Sequence, residues 1–332
     1  MLDYTIFGES HGPAVGVLVT GAAPGLPVDR EIIRRELERR APGGPLATAR
    51  HEPDRLHILS GVYQGFTTGD PICLVLENRD ARSGDYEALR NKPRPGHADY
   101  AAWVRSGGHN DPRGGGPYSG RLTAPLVAAG AMVKTWLKEQ DIELKAQVID
   151  ENAFRQQAAK AKADGDSVGG EIACTVTGLP AGLGGPGWRE AVESELARHL
   201  FAIPAVKALG FGDGASLAHM RGSRANDPLR TDGTRVRTVT NHNGGINGGV
   251  TNGMPLTFTV TFKPTPSIAL PQDTVDLSRM ENCTVAVTGP VAGAGSPGRR
   301  PGSPAAAAGR CGPAAGGAAG PAAGAVPGHR GL

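Results

Sequence analysis

Hydrophobic and polar positions alternate with two different periods along the first 289 residues, and the period changes every 10–20 residues. Short runs rich in Val, Ile and Thr predict β-strands. These runs are Tyr4–Phe7, Val15–Thr20, Leu56–Val62, Pro71–Leu76, Glu143–Ile149, Glu171–Thr177, Arg235–Thr240 and Leu256–Phe262. Apolar spacings of three and four residues predict helices. These are a helix capped by Asp29 and ending near Arg40, one from Thr123 to about Gln140, and three over His97–Val104, Glu151–Ala163 and Trp188–Phe201. The mixture predicts an α+β domain.

The last 43 residues have a different composition. Residues 290–332 contain 13 Ala, 12 Gly, 7 Pro and 4 Arg, with no acidic and no aromatic residue. Such a segment cannot bury a core. We therefore predict a single large domain over residues 1–289, followed by a low-complexity, disordered tail over 290–332.

Charge and cysteine content exclude several functional classes. The formal net charge of +3 arises from the four tail arginines, so the domain itself is nearly neutral. With 5% aromatic residues, this argues against nucleic-acid binding. Cys73, Cys174, Cys283 and Cys311 show no metal-ligand spacing and no disulfide framework. The N-terminus has no secretion signal and the longest apolar run is about half a membrane span, so we expect a cytoplasmic protein.

The first segment that can carry chemistry is Gly8-Glu9-Ser10-His11-Gly12, between two predicted strands. Neighbouring groups can adjust a histidine there for acid–base work near neutral pH. The alternative is a simple turn with a solvent-facing histidine. The segment does not match the GxSxG nucleophile elbow, which argues against serine hydrolysis.

Two glycine-containing segments predict anion binding. His97 follows Arg94-Pro95-Gly96 at the start of a predicted helix, and a helix N-terminus beside an arginine favours an anion. In Arg113–Arg121, three glycines can expose backbone N–H groups between two arginines. The alternatives are a helix cap at His97 or Asp99 and a plain flexible loop. Neither a Walker A loop nor a GxGxxG fingerprint is present.

A third glycine-rich region spans Asn241–Gly253 and precedes Lys263–Ser267. Glycine and asparagine at this density allow positive φ angles and expose backbone groups to a planar or phosphorylated ligand. A pair of ordinary turns is the alternative. The residues alone therefore indicate a protein with loops suited to a multiply anionic small molecule, and they leave the reaction open.

Ten segments, in their order and spacing, resemble the chorismate synthase family. They are FGESHG, RRAPG, EPDRLHILSGV, TTGDPI, NRDARSGDY, RPGHADY, RGGGPYSGR, IPAVKALGFGDG, GGINGGVTNG and KPTPSI. The resemblance runs from Thr5 to about Gly289. It implies the family's own α/β sandwich, assembled as a homotetramer. It also implies a lyase that converts 5-enolpyruvylshikimate 3-phosphate to chorismate and phosphate, in the shikimate pathway of aromatic amino-acid biosynthesis.

The resemblance further implies a 1,4-anti elimination with reduced FMN and no net redox change, with NADPH as a candidate reductant. It makes His11 the acid beside the flavin and His97 the acid near the departing phosphate. Arg39 and Arg40 would contact substrate or NADP. The implied FMN residues are Pro117, Tyr118, Ser119, Pro204, Ala205, Gly248, Lys263, Pro264, Thr265, Pro266 and Ser267. No metal is implied. Pro117 departs from the basic or polar residue usual there and removes a backbone donor.

The tail is the larger departure from the family. After Thr288-Gly289 the family continues with Arg-His-Asp-Pro and a closing helix, whose Arg touches FMN and whose Asp assists proton removal. This chain continues with Pro290-Val291-Ala292-Gly293. Because the tail's residues have GC-rich codons, we interpret it as a product of a shifted reading frame, which translating the gene in other frames would test. Two alternatives stay open: a catalytically impaired FMN- or anion-binding relative, and an NADPH-consuming flavin oxidoreductase.

Overall fold

The computed structural model describes residues 2–41, 54–79 and 90–287. The predicted tail over 290–332 and parts of the RRAPG and NRDARSGDY segments lie outside these ranges. The strands are β1 (Asp3–Gly8), β2 (Ala14–Thr20), β3 (Leu56–Ser60), β4 (Val62–Tyr63), β5 (Phe66–Thr67), β6 (Ile72–Glu77), β7 (Glu143–Val148), β8 (Gly170–Thr177), β9 (Val206–Phe211), β10 (Leu229–Thr231), β11 (Val236–Thr238), β12 (Ile246–Asn247), β13 (Val250–Thr251), β14 (Leu256–Phe262), β15 (Gln272–Asp276) and β16 (Glu281–Val285). The helices are α1 (Arg30–Arg40), α2 (Asp99–Ser106), α3 (Thr123–Lys138), α4 (Glu151–Ala163), α5 (Val192–Phe201) and α6 (Gly222–Ala225), with short 3-10 turns over Arg113–Tyr118, Gly120–Leu122 and Gly214–His219.

The first four-stranded sheet is antiparallel and has the order β1-β2-β6-β3. Its central strands alternate in period two, which buries one residue in two against the helices. Val15 and Val17 of β2 and Leu74 and Leu76 of β6 are fully buried. This alternation explains why the sequence pattern predicted these strands correctly.

Helices α1 and α3 pack against each other, and α3 also contacts both central strands of the first sheet. Asp29 caps α1 by accepting hydrogen bonds from the backbone N–H groups of Glu31 (2.8 Å) and Ile32 (3.2 Å), as predicted. Helix α3 presents a row of small residues that includes the buried Ala124 and Ala128. Small side chains let the helix approach the sheet closely.

The second four-stranded sheet is also antiparallel, with the order β7-β8-β14-β9. Its core is smaller and is formed by Val206, Ile246, Leu256, Phe258 and Val260. Helix α5 packs on β9, and α3 also contacts β7. Helix α3 therefore contacts both sheets, in agreement with the α/β sandwich that the resemblance implied.

Several predicted boundaries need correction. The strand predicted over Leu56–Val62 is broken at Gly61, where φ is +76° and a Cβ atom would lie 2.7 Å from Ile72 Cα. The helix predicted from His97 begins at Asp99, and the helix predicted from Trp188 begins at Val192. The sequence pattern also missed β9, β15 and β16, whose apolar residues do not alternate regularly. The helix predicted over Glu151–Ala163 is confirmed at both ends.

Candidate functional site

The loop between β1 and β2 holds His11 in a buried position. His11 is 9% exposed and Ser10 is 1% exposed. Asn78, which follows β6, donates from Nδ2 to the carbonyl oxygens of Glu9 (2.9 Å) and Gly12 (2.8 Å). These bonds pin both ends of the loop to the first sheet. A simple turn with a solvent-facing histidine is therefore the wrong interpretation.

A buried cluster of arginine and carboxylate groups supports Asn78. Arg121 donates from Nε to Asn78 Oδ1 (3.0 Å) and from NH2 to the carbonyl oxygen of Glu77 (3.2 Å), and it forms an ion pair with Asp54. Arg40 forms a second ion pair with Asp54, at 3.1 Å. Arg121 and Asp54 are 5% and 8% exposed, and burying either charge would be costly without the opposite charge beside it. The guanidinium groups of Arg40 and Arg121 thus share the Asp54 carboxylate.

The three consecutive glycines pack against both histidines. Gly114, Gly115 and Gly116 all have positive φ angles, of 58°, 87° and 51°. A Cβ atom on Gly114 would lie 2.3 Å from His11 Cε1, and one on Gly115 would lie 2.6 Å from His97 Cε1. Only glycine allows this approach and this backbone conformation together. The loop thus brings two histidines that are distant in sequence to neighbouring positions.

The residues that follow the glycines precede the 3-10 turn Gly120–Leu122, which leads into α3. The Tyr118 hydroxyl accepts a hydrogen bond from Arg105 (3.1 Å), and the Ser119 hydroxyl accepts one from the Arg121 backbone N–H (3.3 Å). Pro117 occupies the turn between them and the glycines. The predicted FMN contacts of Pro117, Tyr118 and Ser119 stay predictions, as does anion binding by the glycine backbone.

His97 is held by a charged pair. Its Nδ1 lies 2.5 Å from Oδ1 of Asp99, whose Oδ2 accepts hydrogen bonds from the Arg94 backbone N–H (3.0 Å) and Nε (2.8 Å). Burial acts to raise the pKa of the Asp99 carboxyl, but hydrogen bonds from His97 and Arg94 outweigh it and hold that pKa well below its ordinary value. Asp99 is therefore a permanent anion at neutral pH.

The segment Lys263–Ser267 lies against the His97 loop. Lys263 donates from Nζ to the carbonyl oxygen of Gly96 and from its backbone N–H to Ala205 (2.9 Å). Arg94 donates from NH1 to the Ser267 hydroxyl (3.0 Å). Burial lowers the pKa of the Lys263 ammonium, an effect reinforced by the charge of Lys207. Part of the predicted FMN set is thus gathered beside His97.

The other residues of this segment, and Pro204 near it in the fold, make contacts within the protein. The Thr265 carbonyl oxygen accepts a hydrogen bond from the Ser167 hydroxyl (2.7 Å). Pro266 lies against Gly96, Pro264 lies against Gly169, and Pro204 is half-buried. These contacts fix the backbone of the segment without involving a ligand.

Two predicted positions lie elsewhere. Arg39 pairs with Glu36 and lines a groove of about 450 Å³ beside β7, β8 and β14, whereas its neighbour Arg40 joins the buried cluster. Gly248 occupies the turn between β12 and β13, and the carbonyl oxygen of Gly249 accepts a hydrogen bond from Val192. No contact among the described residues joins Arg39 or Gly248 to either histidine, and their ligand roles stay predictions.

The carboxyl groups of Glu9 and Asp111 form a pair near His11 that the sequence pattern did not reveal. Three donors of Arg113, the backbone N–H, Nε and NH2, bind the Asp111 carboxylate at 2.7–2.9 Å and lower its pKa to about 2. A hydrogen bond with Asp111, together with burial, raises the pKa of the Glu9 carboxyl. The role of Asp54 as the ion-pair partner of Arg40 and Arg121 was not predicted either. The sequence signal that could have indicated it was the position of Asp54 inside the EPDRLHILSGV segment.

The structure provides two further findings about the described ranges. Within residues 2–41, 54–79 and 90–287, no group of three or more His, Cys, Asp or Glu side chains is placed to hold a metal ion. Over the same residues, no helix is long and apolar enough to cross a membrane.

Comparison with known proteins identifies the family. The family model described as chorismate synthase matches residues 2–291. A chorismate synthase from Thermococcus kodakarensis is 47% identical over 315 residues, which cover 87% of this chain and 88% of that protein. One from Aeropyrum pernix is 47% identical over 317 residues, covering 86% of this chain and 83% of that protein. One from Dehalococcoides mccartyi is 41% identical over 323 residues, covering 87% and 88%.

A solved structure agrees with these sequence matches. A crystal structure of chorismate synthase is similar with a TM-score of 0.67 and 27% identity, covering 80% of this chain and 84% of that chain. The fold and the similarity to these homologues indicate an α/β enzyme of the lyase class. The chain belongs to the chorismate synthase family.

Proposed function

We propose that this protein converts 5-enolpyruvylshikimate 3-phosphate to chorismate and phosphate by a 1,4-anti elimination that needs reduced FMN. The observation that carries the proposal is the placement of His11 and His97 on consecutive glycines of one loop. An elimination that expels phosphate and removes a proton needs proton-transfer groups at separate points around one ligand. Two histidines supported by different loops meet that need.

The charge around the histidines suits a multiply anionic substrate. Arg94 and Lys263 lie on the His97 side, and Arg40 and Arg121, which both pair with Asp54, lie on the His11 side. Arginine binds phosphate and carboxylate groups through paired donors. The three negative groups of the substrate would therefore be attracted from both sides of the glycine loop.

The residues present fit FMN in part. Ala205, Lys263, Pro266 and Ser267 form a contiguous surface beside the His97 loop, and a cation there suits a flavin phosphate or an electron-rich ring edge. Bound reduced FMN would supply electron density to the substrate while the bond to phosphate breaks. In this arrangement His97 donates a proton to the departing phosphate, and His11 acts as the acid beside the flavin.

The proposal extends to the reductant, the assembly and the location. NADPH is the candidate reductant. Arg39 is the better candidate contact for it, because its side chain is exposed in its pair with Glu36, whereas Arg40 is paired with the buried Asp54. We also propose a homotetramer in the cytoplasm. Cys73, Cys174 and Cys283 are free thiols, which agrees with a reducing compartment.

A second candidate is an FMN- or anion-binding relative with impaired catalysis. The observation that favours it is the sequence Pro290–Gly293, which stands where the resemblance implies Arg-His-Asp-Pro. Without that carboxylate, proton removal at the flavin would lack its assisting group. FMN would still bind, since the Lys263–Ser267 segment is present.

The test measures anaerobic phosphate release from 5-enolpyruvylshikimate 3-phosphate with chemically reduced FMN. We expect release by the full chain, and a loss of roughly 10²–10⁴-fold in kcat for each of His11→Ala and His97→Ala. His219→Ala, at an exposed position outside the site, should retain the full rate. Equal rates in all variants would contradict the proposed roles. Binding of oxidised FMN by a folded chain that releases no phosphate would support the second candidate, and NADPH consumption with FMN would indicate reductase activity.

A further inference from the structure

We propose that Asp99 is a positioning residue for His97, which fixes the proton on Nδ1 and makes Nε2 the atom that exchanges protons in the site. This inference rests on the proposed function only for its catalytic consequence. The tautomer itself is a property of the protein alone.

The contact between the two side chains is short and partly buried. His97 Nδ1 and Asp99 Oδ1 are 2.5 Å apart, and the side chains are 14% and 20% exposed. A carboxylate of this kind can only accept hydrogen bonds. Nδ1 must therefore carry a hydrogen in both the neutral and the charged ring. The proton that comes and goes is on Nε2.

Arg94 keeps the carboxylate in place and ionised. Its backbone N–H and Nε bind Oδ2 of Asp99, and its NH2 binds Oδ1 at 2.9 Å. The depressed pKa of the Asp99 carboxyl agrees with this set of donors. With every oxygen occupied, the carboxylate has one available orientation, and that orientation faces Nδ1.

Arg94 does not compete with Asp99 for the histidine proton. Its NH2 lies 3.2 Å from Nδ1 and 3.4 Å from Nε2 of His97, so it is nearly equidistant from the two ring nitrogens. A guanidinium group can only donate, and at nearly equal distances it favours a lone pair on neither nitrogen strongly, whereas the Asp99 carboxylate faces Nδ1 at 2.5 Å. The charged groups that face His97 are thus Arg94 and Asp99, with Lys263 bound to the neighbouring Gly96 carbonyl.

Nε2 is directed toward the glycine loop. A Cβ atom on Gly115 would lie 2.9 Å from Nε2 and 2.6 Å from Cε1 of His97. This side of the ring faces the loop that also contacts His11. The tautomer that Asp99 enforces therefore places the exchangeable proton where the two histidines converge, and the opposite tautomer would direct it away.

The experiment reads the tautomer directly. ¹⁵N NMR of histidine-labelled full-length protein, with His97 assigned from a His97→Gln variant, distinguishes Nδ1–H from Nε2–H rings. We expect Nδ1 to be protonated in the wild type and the Nε2–H form to gain population in Asp99→Asn. Asp213→Asn is the matched control, because Asp213 Oδ2 lies 2.6 Å from His242 Nδ1 in an equivalent pair outside the site. It should leave the His97 signals unchanged.

Kinetics of the same variants separate positioning from folding. Asp99→Asn should lower kcat by about 10²-fold or more with a smaller change in KM, and Asp99→Glu should recover part of the loss because it restores a carboxylate. An unprotonated Nδ1 in the wild type, or identical His97 signals in wild type and Asp99→Asn, would overturn the inference even if the variant folds poorly. Absence of turnover in a wild type that shows the expected tautomer would instead count against the proposed function alone.

Discussion

The two histidine loops are held by different kinds of interaction. The His11 loop is fixed through backbone carbonyls, which Asn78 binds, and through the buried pair of Arg121 and Asp54 behind it. The His97 loop is fixed by a side-chain carboxylate, Asp99, and by contacts with a segment that follows the second sheet.

Because the two loops are held differently, we expect removal of the His11 supports to affect mainly stability and removal of the His97 supports to affect mainly activity. The pair that supports the His11 loop, Arg121 and Asp54, is buried next to the first sheet, so removing it should destabilise the fold as well as the site. Asp99, whose side chain is 20% exposed, contacts the His97 ring directly, so it can be altered in a folded protein. The glycine loop between them depends on both.

The largest loss of folding stability is expected when a support of the His11 loop is removed. Arg121→Ala leaves Asp54 buried with only one guanidinium partner, and breaking a buried ion pair costs about 3–5 kcal/mol. Arg34→Ala, which removes exposed pairs on α1, should leave the urea midpoint almost unchanged, because exposed ion pairs are screened by solvent. Urea unfolding of the two variants checks this. Similar urea midpoints for the two variants would show that the buried cluster does not anchor the His11 loop.

An intermediate effect is expected in the loop that both histidines share. Gly115→Ala adds a Cβ atom 2.6 Å from His97 Cε1 at a φ of +87°, so we expect a loss of stability of about 1–3 kcal/mol and at least a tenfold fall in phosphate release. Gly120→Ala is the control, since no atom lies within 4 Å of its Cβ position and its φ is not positive. Equal thermal midpoints and rates would show that the histidines do not require glycine.

The smallest effect is expected from pH at the His97 supports. The folded protein holds the pKa of Asp99 below its unfolded value of about 3.9, so the stabilisation is complete above that pH and is lost as the pH falls toward the folded pKa. The slope from one such group is at most about 1.4 kcal/mol per pH unit. Denaturation at several pH values between 2 and 5 should show a shallower slope for Asp99→Asn than for wild type. Parallel curves would contradict the pairing.

Local signals account for the parts of the fold that were predicted correctly. The strict alternation of Val15, Val17 and Val19 identifies a half-buried strand, and Asp29 before an apolar stripe identifies the start of α1. β9 was not predicted because its own residues do not alternate regularly, and it forms by pairing with β14, which is distant in sequence. The break at Gly61 depends on the nearby Ile72 backbone, which no local pattern reveals.

In the candidate site, too, some residues could be identified from the sequence and others only from the structure. Residue types and motif order singled out His11, His97, Arg40 and the glycine loop, because acid–base side chains, guanidinium groups and glycines have intrinsic chemistry that spacing makes visible. The roles of Asp54 and Asp99 were not visible, since a carboxylate acquires its role from the donors that the fold brings to it.

Motif order, periodicity and side-chain chemistry were thus enough to predict the class of protein, most of the helices and strands, and the residues able to transfer protons or bind anions. Tertiary contacts were needed to show that consecutive glycines each lie against one histidine, that Arg39 and Arg40 have different partners, and that Asp99 faces Nδ1 of His97. Periodicity and side-chain chemistry act over a few residues, whereas burial and hydrogen-bond partners depend on chain segments far apart in sequence.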